Sequence, residues 1–143
     1  MKNGYFVGMF AGAIAGIVTG IVSFALGPML AQIGIIEPLG GTWEIWDPSF
    51  YVTYALAFIS LALIWGTIFG LIYSRYYDSA PGKGVLKGLF FGLMIWLIKD
   101  VAAGSYVALM WVEISISVAL IIAGFFMWIV YGLVLGALYK PPK

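Results

Sequence analysis

Four long apolar stretches make up most of this chain, and six of its seven basic residues fall on one side of the path they define. Residues 5–26, 52–73 and 116–139 carry no charge. About 20 apolar residues in helical form span the ~30 Å hydrocarbon core of a bilayer. The third stretch is weaker. Residues 85–98 are apolar only if Lys87 is tolerated, and Lys99-Asp100 follows directly. A lysine there can extend its stem and return its ammonium to the near side. The pattern predicts an all-α polytopic membrane protein. It would be a four-helix transmembrane bundle in a single domain, 1–143, with helices at about 5–26, 52–73, 84–101 and 116–139. The N-terminal run also has the look of a signal peptide ending near Ser23-Phe24-Ala25, but its length suits a span better.

Charge sets the expected orientation. Lys2, Arg75, Lys83, Lys87, Lys140 and Lys143 lie with the termini and the short connection between the second and third stretches. Glu37, Glu44, Asp47, Asp100 and Glu113 lie opposite, together with Lys99. Basic residues stay on the cytoplasmic side, so both termini are expected inside the cell membrane. Tyr5, Tyr73, Tyr76, Tyr77 and Tyr139 would mark the inner interface, and Trp43, Trp46, Tyr51, Tyr106 and Trp111 the outer one. The outer segments 29–50 and 101–114 are apolar and aromatic. They fit an interfacial cap, with a re-entrant element as the alternative.

The residue inventory narrows the chemistry. Hydrophobic residues make up 64% of the chain and charged ones 9%, so lipid must cover apolar surface that a soluble fold of this size could not hide. A net charge of +1 argues against a nucleic-acid partner. The chain contains neither Cys nor His. No thiolate nucleophile, disulfide or imidazole base is available, and haem would be left with Met or Tyr. We expect no enzyme, cofactor or metal. The expected role is an accessory or assembly subunit packing through glycine-zipper faces, with a small oligomeric channel or transporter as the alternative. The expected partners are the lipid bilayer and either further copies of the chain or a larger membrane complex.

Glycines dominate the helix faces. Gly4, Gly8, Gly12, Gly16 and Gly20 recur at every fourth residue, as do Gly66 and Gly70, then Gly84, Gly88 and Gly92, then Gly132 and Gly136. In lipid, small residues let helix backbones approach closely, so these are expected packing faces with the first helix at the centre. A narrow path or sliding surface lined by small residues is the alternative. The residues "WGTIFGLIY" (Trp65–Tyr73) and "YGLVLGALY" (Tyr131–Tyr139) share one pattern, and Gly12, Gly16 and Gly20 match Gly84, Gly88 and Gly92. A parallel 2+2 internal repeat is therefore expected, with halves at about 1–76 and 80–143.

Few polar side chains remain as candidates. Lys99, Asp100 and Glu113 are the candidate functional polar residues, because ionisable groups within a membrane are expensive and often functional. Lys99 and Asp100 are expected close to the far interface or slightly inside it, as helix-end anchors or facing a cavity. As sequence neighbours they point about 100° apart on an α-helix and should not pair with each other. Trp65, Trp96 and Trp128 are expected to fill space between helices. Thr19, Ser60, Thr67 and Ser117 should bond back to their own helix.

The run "WGTIFGLIYSRYYDSAPGKGVLKGLFFGLMIWLI" with the later "VYGLVLGALY" resembles uncharacterised small prokaryotic four-helix membrane proteins of the YagU-like type. The resemblance covers most of the chain and rests on packing motifs. It implies a fold and a membrane location and no mechanism. Relatives often carry a His about one turn before the last G-x-x-x-G. Here Trp128 holds that place, so a His-dependent activity would not transfer.

Overall fold

The computed structural model describes residues 2–32, 48–102, 105 and 114–142. These form four α-helices and one π-helical turn: α1 (Lys2–Gln32), α2 (Pro48–Tyr76), α3 (Val85–Trp96), the π turn (Leu97–Val101) and α4 (Ile114–Leu138). Among the described residues, three stretches are long and apolar enough to cross a membrane: Gly4–Ala25, Ala55–Tyr76 and Ile121–Leu138. The third expected span does not join them. Its α-helical part has 12 residues, ~18 Å at 1.5 Å per residue, before the backbone changes to π.

Two helix ends differ from expectation. The α1 helix continues past Gly27-Pro28 to Gln32. A proline removes one hydrogen bond, and membrane helices tolerate that loss when neighbouring groups satisfy the freed carbonyl. The α2 helix starts at Pro48 rather than near residue 52. A proline suits the first helical position, where its missing N–H has no partner to lose.

The glycines bring the helices together as two close pairs. In the α1–α2 pair, a Cβ built on Gly12 would lie 2.5 Å from Gly70 Cα, and one on Gly66 would lie 2.7 Å from Gly16 Cα. Gly8 faces Ser74 and Gly70, Gly16 faces Ala62 and Gly66, and Gly20 faces Ala62. In the α3–α4 pair, a Cβ on Gly88 would lie 2.6 Å from Gly136 Cα. Gly92 faces Gly132 and the Trp128 carbonyl, and Gly132 and Gly136 face Gly88 in return. Most of these obstacles are backbone, which cannot rotate away as a side chain can. Gly4 is looser, with Pro142 Cδ at 3.6 Å from its notional Cβ.

Gly84 departs from its expected packing role. It precedes α3 at φ 53°, and a Cβ there would meet nothing within 4 Å. Together with Gly82 at φ 90°, it turns the chain between α2 and α3 in a left-handed conformation that a side chain would resist.

Because the pairs close on glycine, they leave little room for side chains within themselves. The large residues instead fill the wedge between the pairs. Tyr73, Phe91, Tyr131, Leu135 and Tyr139 are buried there. The Tyr131 hydroxyl crosses the wedge and donates to the Gly66 carbonyl at 2.9 Å. The α1 helix packs on α2 and also on α4, and α4 packs on α3 and α1, so the centre is shared by α1 and α4 rather than held by α1 alone.

The expected inner tyrosine belt is therefore divided. Tyr76 is exposed, but Tyr73 and Tyr139 are core residues whose rings meet at 5.3 Å. Tyr73 also meets Tyr77 at 5.6 Å and Phe91 at 5.0 Å. Burial, then nearby Asp78 and Tyr77, push the Tyr139 phenol above its ordinary pKa. Gly4 lies beside Pro142 and Tyr139, so both termini share one end of the bundle with the α2–α3 turn. At that end Arg75 sits 4.8 Å from the Tyr5 ring centroid, and Lys87 donates to the Tyr77 carbonyl at 2.6 Å. Lys87 thus reaches back toward the turn as its long stem allows.

Candidate functional site: a clamped carboxylate on the π turn

The rows that zip α3 to α4 continue beyond the glycines. On α3 and the π turn that follows it the series is Gly88, Gly92, Trp96, Asp100; on α4 it is Gly124, Trp128, Gly132, Gly136. Where the glycines end, polar contacts begin. Trp96 Nε1 donates to the Ile121 carbonyl at 2.9 Å, and its ring meets Phe125 at 5.0 Å. One turn farther, Trp128 Nε1 donates to Asp100 Oδ2 at 2.6 Å. Trp96 and Trp128 therefore do more than fill space, because each indole N–H is paired. Trp65 is instead exposed and lies against Phe69 at 5.9 Å.

Lys99 completes the cluster. Its Nζ lies 3.0 Å from Asp100 Oδ1 and 5.4 Å from the centroid of the Trp128 ring. The expectation that these neighbours would not pair is overturned. The π turn closes i→i+5 rather than i→i+4, so successive residues rotate through a smaller angle than on an α-helix. The lysine stem spans the rest. Exposure is unequal: the Lys99 side chain is 51% exposed and that of Asp100 15%.

Gly124 makes room for the carboxylate. A Cβ there would lie 2.7 Å from Asp100 Cγ and would overlap Oδ2. The notch also fixes the position of the site along α4. Trp128 is ~15 Å from Leu138 and ~21 Å from Ile114 along the axis. Asp100 therefore packs against Gly124 within the apolar stretch Ile121–Leu138, three residues from its Ile121 end. Helical side chains lean toward their own N-terminus, so in this antiparallel pair Asp100 and Trp128 lean toward one another.

Glu113, the third polar candidate, lies outside the described residues, as do Glu37, Glu44 and Asp47. Thr19 and Thr67 bond back to the carbonyls of Ala15 and Leu63, as expected. Ser117 does not. Its buried hydroxyl has no hydrogen-bond partner, and neither does that of Tyr73. Among the described residues no three Asp, Glu, His or Cys side chains converge as metal ligands.

What the site offers is a fixed, mostly buried carboxylate, an indole that donates to it and presents a ring face, and a cation that bridges the two. The partners of Asp100 had a sequence signal: extending the glycine rows by one or two turns reaches Trp128 and Gly124. Comparison with protein-family models, with curated proteins and with solved structures gives no match.

Proposed function

We propose that this chain is a non-enzymatic integral protein of the cell membrane, acting as a small oligomeric channel or transporter with the Lys99–Asp100–Trp128 cluster beside its path. The observation that carries this reading is an ion pair set alongside the apolar span of α4. Placing ionisable groups at such depth is unfavourable, and they usually face a cavity, a partner or a conducted ion. A single bundle of this size encloses little space, so copies must associate to complete a path. The basic side chains of Arg75, Lys83, Lys87 and Lys140 at the end that holds both termini support cytoplasmic termini.

The same reading includes a parallel 2+2 repeat. Its support is the matching contacts of the two pairs: Gly12 with Gly66 and Gly70, and Gly88 with Gly132 and Gly136. In this register Gly12 corresponds to Gly88 and Gly16 to Gly92, one turn away from the match with Gly84 and Gly88 suggested by spacing. Tyr73 and Tyr139, which end the two shared motifs, meet ring to ring near the axis that would relate the halves.

The test is flux. Wild-type protein in proteoliposomes should pass small monovalent cations, alkali or organic ammonium, under an imposed potential, and Asp100→Asn should reduce the rate at least tenfold. Absence of flux in the wild type, or equal flux in the variant, contradicts the reading.

A second reading, an accessory subunit of a larger assembly, is favoured by the α2 surface. Only 11% of its span is buried, against 39% for α1, and Leu56, Ile64, Trp65, Ile68 and Ile72 are exposed. The glycine faces named above already pack inside the chain, so a partner would dock on this surface rather than on a glycine zipper. Co-purification of a stoichiometric subunit that Ile64→Trp with Ile68→Trp releases would support it. Recovery of the chain alone, or in copies of itself, would contradict it.

A further inference from the structure

The geometry points to a binding site for a monovalent organic ammonium ion, with Lys99 as its built-in, displaceable occupant. This rests on the transport reading and names the substrate class. Three features carry it. Asp100 is held from two sides, by the Trp128 indole at 2.6 Å and by the notch at Gly124, so its carboxylate stays in place whatever Lys99 does. The Trp128 ring offers a face within the ~6 Å range of a cation–π contact and is itself fixed edge-to-face by Phe69 at 5.3 Å and Tyr131 at 5.4 Å. A carboxylate next to a fixed aromatic face, in apolar surroundings, is the chemistry that recognises an alkylammonium group.

The third feature is the occupant. The Lys99 ammonium already sits where such a ligand's nitrogen would sit, bonded to Oδ1 and facing the ring. It is a primary ammonium on an alkyl chain. Unlike Asp100 it is half exposed, and its only described hydrogen bond is the one to Asp100. It can leave without uncovering a second buried group. A tethered ligand competes at an effective concentration of about millimolar, so a free amine should bind the wild type weakly and bind tightly once the tether is gone.

The experiment is titration calorimetry on detergent-purified full-length protein with hexylammonium, which copies the lysine stem, and neutral 1-hexanol as the control for partition into apolar surface. Lys99→Met should bind hexylammonium at least tenfold more tightly than the wild type. Adding Asp100→Asn to Lys99→Met should abolish that gain, and 1-hexanol should not distinguish the three proteins. If Lys99→Met does not fold, Lys99→Gln takes its place. Equal binding by wild type and Lys99 variant, or binding that survives loss of Asp100, overturns the proposal. Binding without Asp100-dependent flux would leave this site standing and remove the transport reading. Flux without amine binding would do the reverse.

Discussion

The two helix pairs start alike and end differently. Both close on backbone at glycine, α1 against α2 and α3 against α4, and both run antiparallel from the end that holds the termini. In the first pair the small-residue contact runs on to Gly20 against Ala62. In the second pair the corresponding contact is made by Trp96, Asp100 and Trp128, and the helix widens into a π turn. The first pair thus keeps small residues in contact over a longer stretch than the second. The departure in the second pair is where polar groups of α3, the π turn and α4 replace the small residues. Buried hydrogen bonds also set a stricter geometry than dispersion between glycines, since each polar group must find its partner or leave it unsatisfied.

The largest expected effects strike what the pairs share. Gly12→Leu and Gly88→Leu each drive a side chain into backbone, where overpacking costs about 1–3 kcal/mol and sometimes more. Both should lower the thermal midpoint in detergent by similar amounts, while Val18→Leu, outside the glycine row, should change little. A large loss in only one glycine variant would break the likeness of the pairs. Gly124→Ala comes next and acts on the second pair alone. Its methyl group occupies the space of the Asp100 carboxylate. A loss of about 1–3 kcal/mol is expected, with much of it removed when Asp100→Ala is added. No recovery in the double variant would mean that the notch serves some other contact.

Asp100→Asn should have a smaller effect. It keeps an acceptor for Trp128 and removes only the charge opposite the half-exposed Lys99, so about 1 kcal/mol is expected, the upper end for a solvent-screened ion pair. A loss of ~3–5 kcal/mol, rescued by Lys99→Met, would show a fully buried ion pair instead. The smallest effect belongs to the other end of the bundle. Burial raises the Tyr139 phenol, so its contribution to stability is complete below the free-tyrosine pKa of about 10 and declines as pH rises through the folded value. Tyr139→Phe should flatten stability above pH 10, and an unchanged alkaline profile would show that this phenol does not titrate with unfolding.

Much of this architecture was legible in the residues. Charge-free runs located three spans, and the four-residue glycine rows marked the faces that meet. Three things were hidden. The pairing of Lys99 with Asp100 was one, since neighbours on a regular α-helix point about 100° apart. The π turn leaves no mark on a hydrophobic periodicity, since it changes the rotation of five residues without changing their composition. The tyrosines near the helix ends suit an interface by type, yet Tyr73 and Tyr139 turn inward because glycine-closed pairs leave a wedge that large side chains fill.

The most direct test of the central claim, a charged cluster beside the membrane span of α4, is a depth measurement on spin-labelled protein in bilayers. A nitroxide at Lys99 should report the same depth as one at Phe126, the exposed α4 residue between Gly124 and Trp128, from the ratio of oxygen to nickel-chelate collisions. A label at Arg75 supplies the headgroup reference at the end that holds the termini. Agreement between Lys99 and Phe126 to within about one helical turn, ~5 Å, is the predicted result. A Lys99 label as accessible to the nickel chelate as that at Arg75 would place the pair in water and contradict the account.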